Sequence, residues 1–374
     1  MLIQLSKPSV SSQEVKSVEK VIFSGYLGMG PKTKEFENNL SKFFGRQVVC
    51  TSSGTSALHI ALQALKSFHK KRNEVLVPSL TYAASYQAIT GAGLKPISCD
   101  INPKTLNICI KDIQKKINSR TLAIMPVHYS GDPAGINKIN SLAKKSNIRV
   151  VEDAAHAFGS TFNNKLIGSF GDIACFSFDG IKNITCGEGG AIVTNDSKII
   201  TKASDIRTLG IIGDSKRRTA KKRSWTFDIE EQGYRYHMSD INAAIGLVQL
   251  KRFASFQKKR KVMAKNYDSI LQKSKFLKIF KRDYNSITPH IYAVKLTVDG
   301  SREELQKYLL SKGIQTGYHY FPNHLLTYFK QKDLTLPVIE KIFPNLLTLP
   351  SHTGVSKRNI IFIAKSIESF YLKN

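Results

Sequence analysis

The sequence has no hydrophobic run that could cross a membrane. No apolar stretch approaches the roughly 18 residues that a membrane-spanning helix requires, and the mean hydropathy is −0.21. The N-terminal segment, MLIQLSKPSVSSQEV, also lacks the basic start and apolar stretch of a signal peptide. We therefore expect neither membrane insertion nor secretion, and we predict that the protein works in the cytoplasm.

Cysteine is scarce and scattered. The chain has five cysteines, an odd number, and no two of them form a CxxC pair. This pattern argues against a disulfide framework and against a zinc site, and it suits a reducing compartment. We predict no metal site. The cysteines are Cys50, Cys99, Cys109, Cys175 and Cys186.

Acidic residues are few compared with basic ones. Asp and Glu number 28 against 56 Lys and Arg, so the formal net charge is +28. Such a surplus suits a nucleic acid, a membrane surface or an anionic substrate. The lysines are spread over nearly the whole chain, however, and the densest cluster is the KRRTAKKR segment at 216–223. The spread favours a solvated basic surface over a nucleic-acid footprint, and we expect no nucleic-acid partner.

Short apolar runs alternate with amphipathic stretches along most of the chain, whose 374 residues suffice for two or three domains at about 150 residues each. Apolar strands separated by helices are typical of a mainly parallel sheet covered on both faces. We therefore predict an α/β fold. The predicted strands span 47–50, 74–78, 95–100, 121–128, 148–153, 172–178 and 190–194.

The pattern changes near residue 250. A helix with a capping box at Ser11–Glu14 precedes the α/β region, and a long helix is predicted over 238–264. We predict a large domain at 1–250 and a smaller C-terminal α/β domain at 251–374. The smaller domain is predicted to contain a strand at 290–298, a helix at 302–312, a strand at 314–320 and a helix from about residue 357.

Small polar residues lie between the first predicted strand and the following helix, in the segment TSSGTS at 51–56. Free backbone N–H groups, hydroxyls and the positive end of a helix dipole together suit a phosphate. A plain N-cap turn explains the same residues. The Gly-Lys-Ser/Thr element of a Walker loop is missing.

Two further segments place single polar groups after apolar strands. Glu152 and Asp153 end the strand in RVVEDAAHA, at the edge of a parallel sheet where ligands bind. Either acid could instead cap a helix. Lys182 lies in a short glycine-bounded loop, and its apolar sequence neighbours favour the neutral amine that a Schiff-base lysine requires. A solvated surface lysine is the alternative.

The three segments together fit the needs of pyridoxal phosphate. Its phosphate needs N–H donors, its pyridinium nitrogen needs an acid partner, and its aldehyde needs a lysine. The acid keeps the ring nitrogen protonated, so that the ring can accept electrons. We therefore predict pyridoxal 5'-phosphate as the cofactor.

Eight segments in order resemble the sugar-nucleotide aminotransferases of the DegT/DnrJ/StrS family. The resemblance covers most of the chain and implies the type I pyridoxal-phosphate fold, with a seven-stranded, mainly parallel sheet and a small C-terminal domain. The segments are GPKTKEFE, SSGTSALHIAL, VLVPSLTYAASYQAI, PVHYSGDPAGI, VEDAAHAFGS, SFDGIKNITCGEGG, GYRYHMSDINAAIGLVQL and GIQTGYHYFPNH.

The resemblance also implies roles for individual residues. Lys182 would be the catalytic lysine that bonds to the cofactor and moves a proton. Asp153 would pair with the pyridine nitrogen, His156 would lie beside the ring hydroxyl, and Tyr82 would stack on the ring. The phosphate would be held by Ser53, Gly54, Thr55 and Ser177.

Two positions depart from the family pattern. Arg235 stands where family members commonly carry an Asn that reaches the neighbouring subunit's phosphate, so the resemblance implies a homodimer with shared active sites. Asp179 stands where a His often follows Ser-Phe, which affects substrate contacts near the lysine. His319 and His324 lie where the family often lines the sugar site, although a structural role suits them equally.

The activity that the resemblance implies is transfer of an amino group from L-glutamate to a nucleotide-linked 4-keto-6-deoxysugar, for bacterial glycan or polysaccharide synthesis. IKNITCGEGG and GYRYHMSDINAAI resemble the C4 enzymes more than the C3 enzymes. The KRRTAKKR segment is a candidate for steering a diphosphate substrate. Alternatives are a C3 aminotransferase, an enzyme that acts on a free cyclitol or a similar sugar, and a non-catalytic regulatory or nucleic-acid-binding protein on the same fold. Lys182 argues against the sugar 3-dehydratases, which carry a His there.

Overall fold

The computed structural model describes residues 2–133, 135–220, 222, 225–331 and 333–373. Its strands are β1 (Gln47–Thr51), β2 (Glu74–Pro78), β3 (Lys95–Cys99), β4 (Thr121–Ile124), β5 (Arg149–Asp153), β6 (Thr161–Phe162), β7 (Lys165–Leu166), β8 (Ile173–Ser177), β9 (Gly190–Thr194), β10 (Leu277–Ile279), β11 (Tyr292–Leu296) and β12 (Leu346–Leu349).

The helices alternate with the strands in the first half of the chain. They are α1 (Ser12–Phe23), α2 (Pro31–Phe44), α3 (Gly54–Ser67), α4 (Ala83–Gly91), α5 (Ile110–Lys116), α6 (Ile136–Lys145), α7 (Ser197–Ile206), α8 (Asp214–Thr219), α9 (Asp240–Leu271), α10 (Arg302–Ser311), α11 (Pro337–Ile342) and α12 (Lys357–Lys373). No helix among the described residues is long and apolar enough to span a membrane.

The seven predicted apolar runs form one sheet, in the order β1-β9-β8-β5-β4-β2-β3. Pairing is parallel from β8 to β3, whereas β9 is antiparallel to both β8 and β1. The α/β prediction is confirmed. One strand is shorter than predicted, because Pro126 lacks an N–H group and the chain beyond Ile124 keeps only an isolated bridge between Val127 and Asp153.

Both faces of the sheet are buried. Alternate residues of each strand point to opposite faces, so Val49 and Ile192 pack under α3 and α7, while Cys50 and Val193 pack against α2 and α9. Near the other edge, α5 and α6 cover the second face. This double cover leaves the carboxyl ends of the parallel strands as the exposed polar edge, where the predicted site residues lie.

The C-terminal part contains an antiparallel sheet in the order β10-β11-β12. The C-terminal half of α9, together with α10 and α12, packs on it through apolar side chains. Ser239 caps α9 by accepting a hydrogen bond from the N–H of Asn242, so the helix begins two residues later than predicted and runs on to Leu271. The predicted domain boundary at 250 falls inside this helix and stays a prediction.

The strand predicted over 314–320 is wrong. Ile314 makes an isolated bridge to Ile3, and Gly317 makes one to Thr348. Because these two partners belong to different segments, no continuous ladder forms. The chain beyond Gly317 instead turns toward the polar edge of the large sheet.

Candidate active site

A pocket of about 440 Å³ lies at the carboxyl ends of the parallel strands and brings most of the predicted site residues together. It is lined by side chains from β5, from the loop after β8, from the N-terminus of α3 and from the segment after Gly317. The predicted residues in its lining are Ser53, Gly54, Thr55, Tyr82, Asp153, His156, Ser177, Asp179, Lys182 and His319.

The N-terminus of α3 forms one wall of this pocket. Ser53 caps the helix, because its hydroxyl accepts a hydrogen bond from the N–H of Ser56 at 3.0 Å. The first bond of the helix runs from the N–H of Ala57 to the carbonyl of Ser53 at 3.1 Å. The N–H groups of Gly54 and Thr55 precede that bond and have no acceptor within the helix. The Ser53 cap therefore leaves these two N–H groups available for an anion.

Two glycines allow the wall to approach its neighbours closely. A Cβ on Gly54 would lie 2.7 Å from the Cβ of Ser177, and a Cβ on Gly190 would lie 2.2 Å from the carbonyl oxygen of Ser53. Separations under 3 Å do not occur between real Cβ atoms and other heavy atoms. The close packing holds the Ser177 hydroxyl beside the free N–H groups.

The two acids at the end of β5 have different surroundings. Glu152 turns away from the pocket, where its carboxylate contacts the Nε2 of His128 at 2.7 Å and accepts from the N–H of Gly171 at 2.5 Å. Asp153 faces the pocket, and its Oδ2 accepts from the hydroxyl of Ser85 at 2.7 Å. Its Oδ1 accepts from the N–H of Ala155 at 3.2 Å.

Burial raises the pKa of Asp153, and the hydrogen bonds from Ser85 and Ala155 work against that rise. A protonated Lys182 would also favour the carboxylate form. Asp153 is thus a buried acid whose charge depends on the donors around it.

Lys182 projects into the pocket from the loop after β8. Its backbone N–H donates to the carbonyl of Asp179 at 3.1 Å, and its Nζ lies 3.4 Å from Nε2 of His290. Burial lowers the pKa of Lys182, and the positive charge of Arg260 lowers it further, while Asp179 and Asp153 oppose the change. The surroundings therefore favour the neutral, nucleophilic amine.

Aromatic and imidazole rings form the opposite wall. The hydroxyl of Tyr320 lies 2.8 Å from Nε2 of His156, and the Tyr320 ring centroid lies 5.5 Å from that of Tyr82. His156 accepts from the N–H of Ser130 at 3.3 Å through Nδ1. Burial lowers the pKa of His156 well below its ordinary value, and Lys182 and His319 add to that effect. His156 is therefore neutral near pH 7.

Two predicted site residues do not reach this pocket. His324 is buried, with Nδ1 2.6 Å from the Ser79 hydroxyl and Nε2 3.0 Å from Glu340. This placement supports the structural role rather than substrate contact. Arg235 is exposed and lies outside the lining, so it faces away from the pocket of its own chain. Within the basic segment at 216–223, Lys221 and Arg223 lie outside the described residues.

Sequence reasoning missed four residues at this site. Ser85, Glu188, His290 and Tyr320 each line the pocket or contact a residue that does. Ser85, Glu188 and Tyr320 occur inside the family-like segments VLVPSLTYAASYQAI, SFDGIKNITCGEGG and GIQTGYHYFPNH, so a signal was present for them. His290 lies outside every such segment, and only the fold brings it to Lys182.

Comparison with known proteins agrees with this geometry. The sequence model of the DegT/DnrJ/EryC1/StrS aminotransferase family matches residues 8–368. The chain belongs to this family. The aminotransferase is 35% identical to the GDP-perosamine synthase of Escherichia coli O157:H7 over 375 residues, which cover 99% of this chain and 98% of that protein.

Solved structures share the whole fold of the aminotransferase. PseC of Helicobacter pylori, an aminotransferase involved in the biosynthesis of pseudoaminic acid, superposes with a TM-score of 0.92 at 27% identity, covering 100% of both chains. The sugar aminotransferase Spr1654 of Streptococcus pneumoniae, in its PMP-form, superposes with a TM-score of 0.91 at 29% identity, covering 100% of this chain and 98% of that one. The α/β fold is thus that of the sugar aminotransferases.

The residues of this aminotransferase fit pyridoxal phosphate, which the family implies. The free N–H groups at the start of α3 and the Ser177 hydroxyl suit its phosphate, because a helix N-terminus attracts anions. The carboxylate of Asp153 suits the ring nitrogen, and the Lys182 amine suits the aldehyde. These groups line one pocket, so one small molecule can meet them together.

Proposed function

We propose that this aminotransferase moves an amino group from L-glutamate to the C4 carbonyl of a nucleotide-linked 4-keto-6-deoxysugar. The observation that carries the proposal is that Lys182 lies in one pocket with Asp153 and the N-terminus of α3. Burial of Lys182 lowers its pKa and so favours the neutral amine. The similarity to GDP-perosamine synthase over almost the whole chain supports a nucleotide-linked sugar as the acceptor. The family-like segments around Lys182 and Arg235 favour C4 over C3.

Each pocket residue has a chemical task in this reaction. Pyridoxal phosphate, when bound, supplies a carbonyl carbon that carries the amino group and a ring that accepts electrons. Lys182 holds the cofactor and takes up and returns a proton through Nζ, since burial favours its neutral form. Asp153 holds a proton on the ring nitrogen, and His156 and Tyr320 exclude water from one side of the pocket.

The acceptor is larger than the cofactor and must meet the open side of the pocket. Asp179 and Glu188 line it there, and both can hydrogen-bond to sugar hydroxyls. The net charge of +28 attracts a diphosphate from solution. The described residues of the basic segment at 216–223 are our candidate for attracting the diphosphate to the pocket.

We also propose a homodimer that acts in the cytoplasm. Trp225, Phe227 and Ile229 are at least half exposed, at 88%, 54% and 50%, and an exposed apolar group of this kind is typical of an interface. Ile229 bridges to Ile211, and Arg235 bridges to Thr208 in the adjacent part of the chain. If a second subunit packs on this surface, Arg235 of the first subunit would lie near the pocket of the second. The five cysteines are free thiols, as suits a reducing compartment.

The decisive experiment follows the visible absorption of the holoenzyme. L-glutamate alone should abolish it, and a 4-keto-6-deoxysugar linked to UDP, dTDP or GDP should then restore it. A 3-keto isomer and a free keto-cyclitol serve as competing acceptors, and Lys182→Ala serves as the inactive control. Loss of absorption with another amino acid but not with glutamate would disprove the donor. Recovery with the 3-keto sugar alone would disprove the C4 assignment.

A further inference from the structure

His290 contacts the reactive amine and has no role in the function described so far. It lies just before β11, is only 3% exposed, and places Nε2 at 3.4 Å from Nζ of Lys182. Its ring packs against His156 in a tilted arrangement, with centroids 4.5 Å apart. The contact joins the C-terminal part of the chain directly to the lysine.

The backbone of His290 is fixed in place. Its carbonyl accepts from the hydroxyl of Ser351 at 3.1 Å and from Nη1 of Arg260 at 3.3 Å. The same Arg260 atom also lies 3.4 Å from the carbonyls of Pro289 and Ser351. These bonds fix the backbone from which the His290 ring projects toward Lys182.

The unpaired nitrogen of His290 indicates which of the two ring nitrogens carries the proton. Nδ1 is buried and has no hydrogen-bond partner among the described residues. A buried N–H without an acceptor is rarer than a buried acceptor without a donor, so the proton belongs on Nε2. Nε2 must then donate, and the acceptor within reach is the lone pair of the Lys182 amine. A protonated lysine has no lone pair and cannot accept this bond.

The charged groups around Lys182 act on its amine in opposite directions. His156 and His319 are neutral near pH 7, since burial lowers the pKa of both, for His319 to about 4. Arg260 on α9 keeps its positive charge, although burial lowers its pKa to about 10, and this charge favours the neutral amine. Asp179 and Asp153 favour the protonated amine, so a hydrogen bond from His290 would work against them. Burial raises the pKa of Tyr320, which is therefore a neutral hydroxyl group.

We propose that His290 is a positioning residue whose Nε2–H donates a hydrogen bond to the lone pair of the Lys182 amine, which stabilises the neutral amine and directs it into the pocket. The bond is available whenever Lys182 is free of the cofactor, which is when the amine must accept a proton. The inference rests on Lys182 being the reactive lysine of the proposed function, but not on the identity of the donor or the sugar.

Competitive chemical labelling measures the amine directly. Full-length protein freed of cofactor is treated with trace acetic anhydride from pH 6 to 11, and the acetylation of the Lys182 peptide is quantified by mass spectrometry against exposed lysines. Only neutral amines react. No glutamate, sugar or cofactor is present, so failure of the donor or acceptor assignment leaves this result unaffected.

Two variants separate the proton donor from the packing of the ring. His290→Phe keeps a flat ring against His156 but has no nitrogen, whereas His290→Gln keeps an N–H donor without a ring. We expect labelling of Lys182 at pH 8 to fall about tenfold in His290→Phe, as the loss of one hydrogen bond to the neutral form implies. His290→Gln should stay within about threefold of the wild type.

A matched control is His59→Phe. His59 is also buried, also has a ring nitrogen without a partner among the described residues, and also lies against aromatic rings, yet those rings belong to Tyr234 and Tyr236. It should leave Lys182 labelling unchanged. Equal labelling in wild type and a folded His290→Phe, or a loss in Gln but not in Phe, would overturn the proposal. Thermal melting of each variant verifies folding.

Discussion

The hydroxyl of Ser85 on α4 donates a 2.7 Å hydrogen bond to Oδ2 of Asp153. That hydroxyl also lies 2.8 Å from the hydroxyl of Thr81, so a short chain of hydroxyls supports the acid from behind. Because Asp153 is buried, the carboxylate form depends on such donors. The charge of this pocket-lining acid on β5 therefore depends on a residue from α4.

Ser85→Ala should raise the pKa of Asp153, since it removes a bond that stabilises the carboxylate and leaves the effect of burial in place. Activity that needs the carboxylate is present above this pKa and is lost as the pH falls through it. The acid limb of the pH profile of glutamate turnover should therefore move to higher pH. Near neutral pH we expect a loss of about tenfold.

Ser98→Ala is the control for Ser85→Ala. Ser98 accepts a 2.8 Å hydrogen bond from the buried hydroxyl of Tyr86, also on α4, but does not touch Asp153. It should leave the acid limb in place even if it lowers stability. An unchanged acid limb in folded Ser85→Ala would show that Ser85 does not control the charge of Asp153.

Gly54→Ala should weaken cofactor binding without unfolding the chain. The new Cβ would meet the Ser177 Cβ at 2.7 Å, so the start of α3 and the loop after β8 must move apart. We expect the Kd for pyridoxal phosphate, measured by fluorescence titration, to rise at least about tenfold, as for lost phosphate contacts.

A second substitution tests whether this contact is the cause. Ser177→Gly removes the Cβ and Oγ that Gly54→Ala would strike and leaves only the Cα, at 3.2 Å. The double variant should therefore bind the cofactor nearly as well as Ser177→Gly alone. Gly28→Ala is the control, because a Cβ there meets no atom within 4 Å. A Kd that rises equally in Gly54→Ala and in Gly28→Ala would contradict the steric explanation.

Residues that follow a strand in sequence were predictable, whereas residues that meet across the fold were not. Asp153 ends β5 and Lys182 lies in the loop after β8, and such strands end at one edge of a sheet. Ser85 and His290 contact these two residues from α4 and from just before β11. Although Ser85 lies in a family-like segment, local periodicity predicts neither contact. Their contacts depend on how distant segments pack, which periodicity does not encode.

The same distinction explains the fold. The seven strands of the large sheet are apolar runs buried on both faces, so composition alone marks them. The segment at 314–320 has a strand-like pattern, but its backbone partners are Ile3 and Thr348, which belong to separate elements. Pattern shows whether a segment suits a strand, and only the fold decides whether a partner strand is present.

The buried ion pair of Glu37 and Arg207 yields a prediction about stability. Nη1 of Arg207 lies 2.5 Å from Oε1 of Glu37, and their side chains are 3% and 5% exposed. Arg207→Met leaves the buried carboxylate of Glu37 without its positively charged partner and should lower the free energy of unfolding by about 3–5 kcal/mol. Adding Glu37→Gln removes that charge and keeps the acceptor for the N–H of Cys50, so the double variant should be more stable than Arg207→Met.

Urea unfolding of the cofactor-free protein measures these differences. Lys32→Met is the control, because its 2.7 Å pair with Glu35 is 44% and 45% exposed and should contribute less than about 1 kcal/mol. The interpretation fails if Arg207→Met is no less stable than Lys32→Met, or if the double variant is no more stable than Arg207→Met.

Mixing two inactive variants tests whether Arg235 serves the partner's site. Lys182→Ala keeps a normal Arg235, and Arg235→Ala keeps a normal Lys182. If each site combines Lys182 of one subunit with Arg235 of the other, a mixed dimer has one intact site. Random reassortment then restores about a quarter of wild-type activity, assayed at a cofactor concentration that leaves Arg235→Ala largely empty. If Lys182 and Arg235 of the same subunit instead form each site, the mixture should be no more active than the two unmixed variants, which serve as the control.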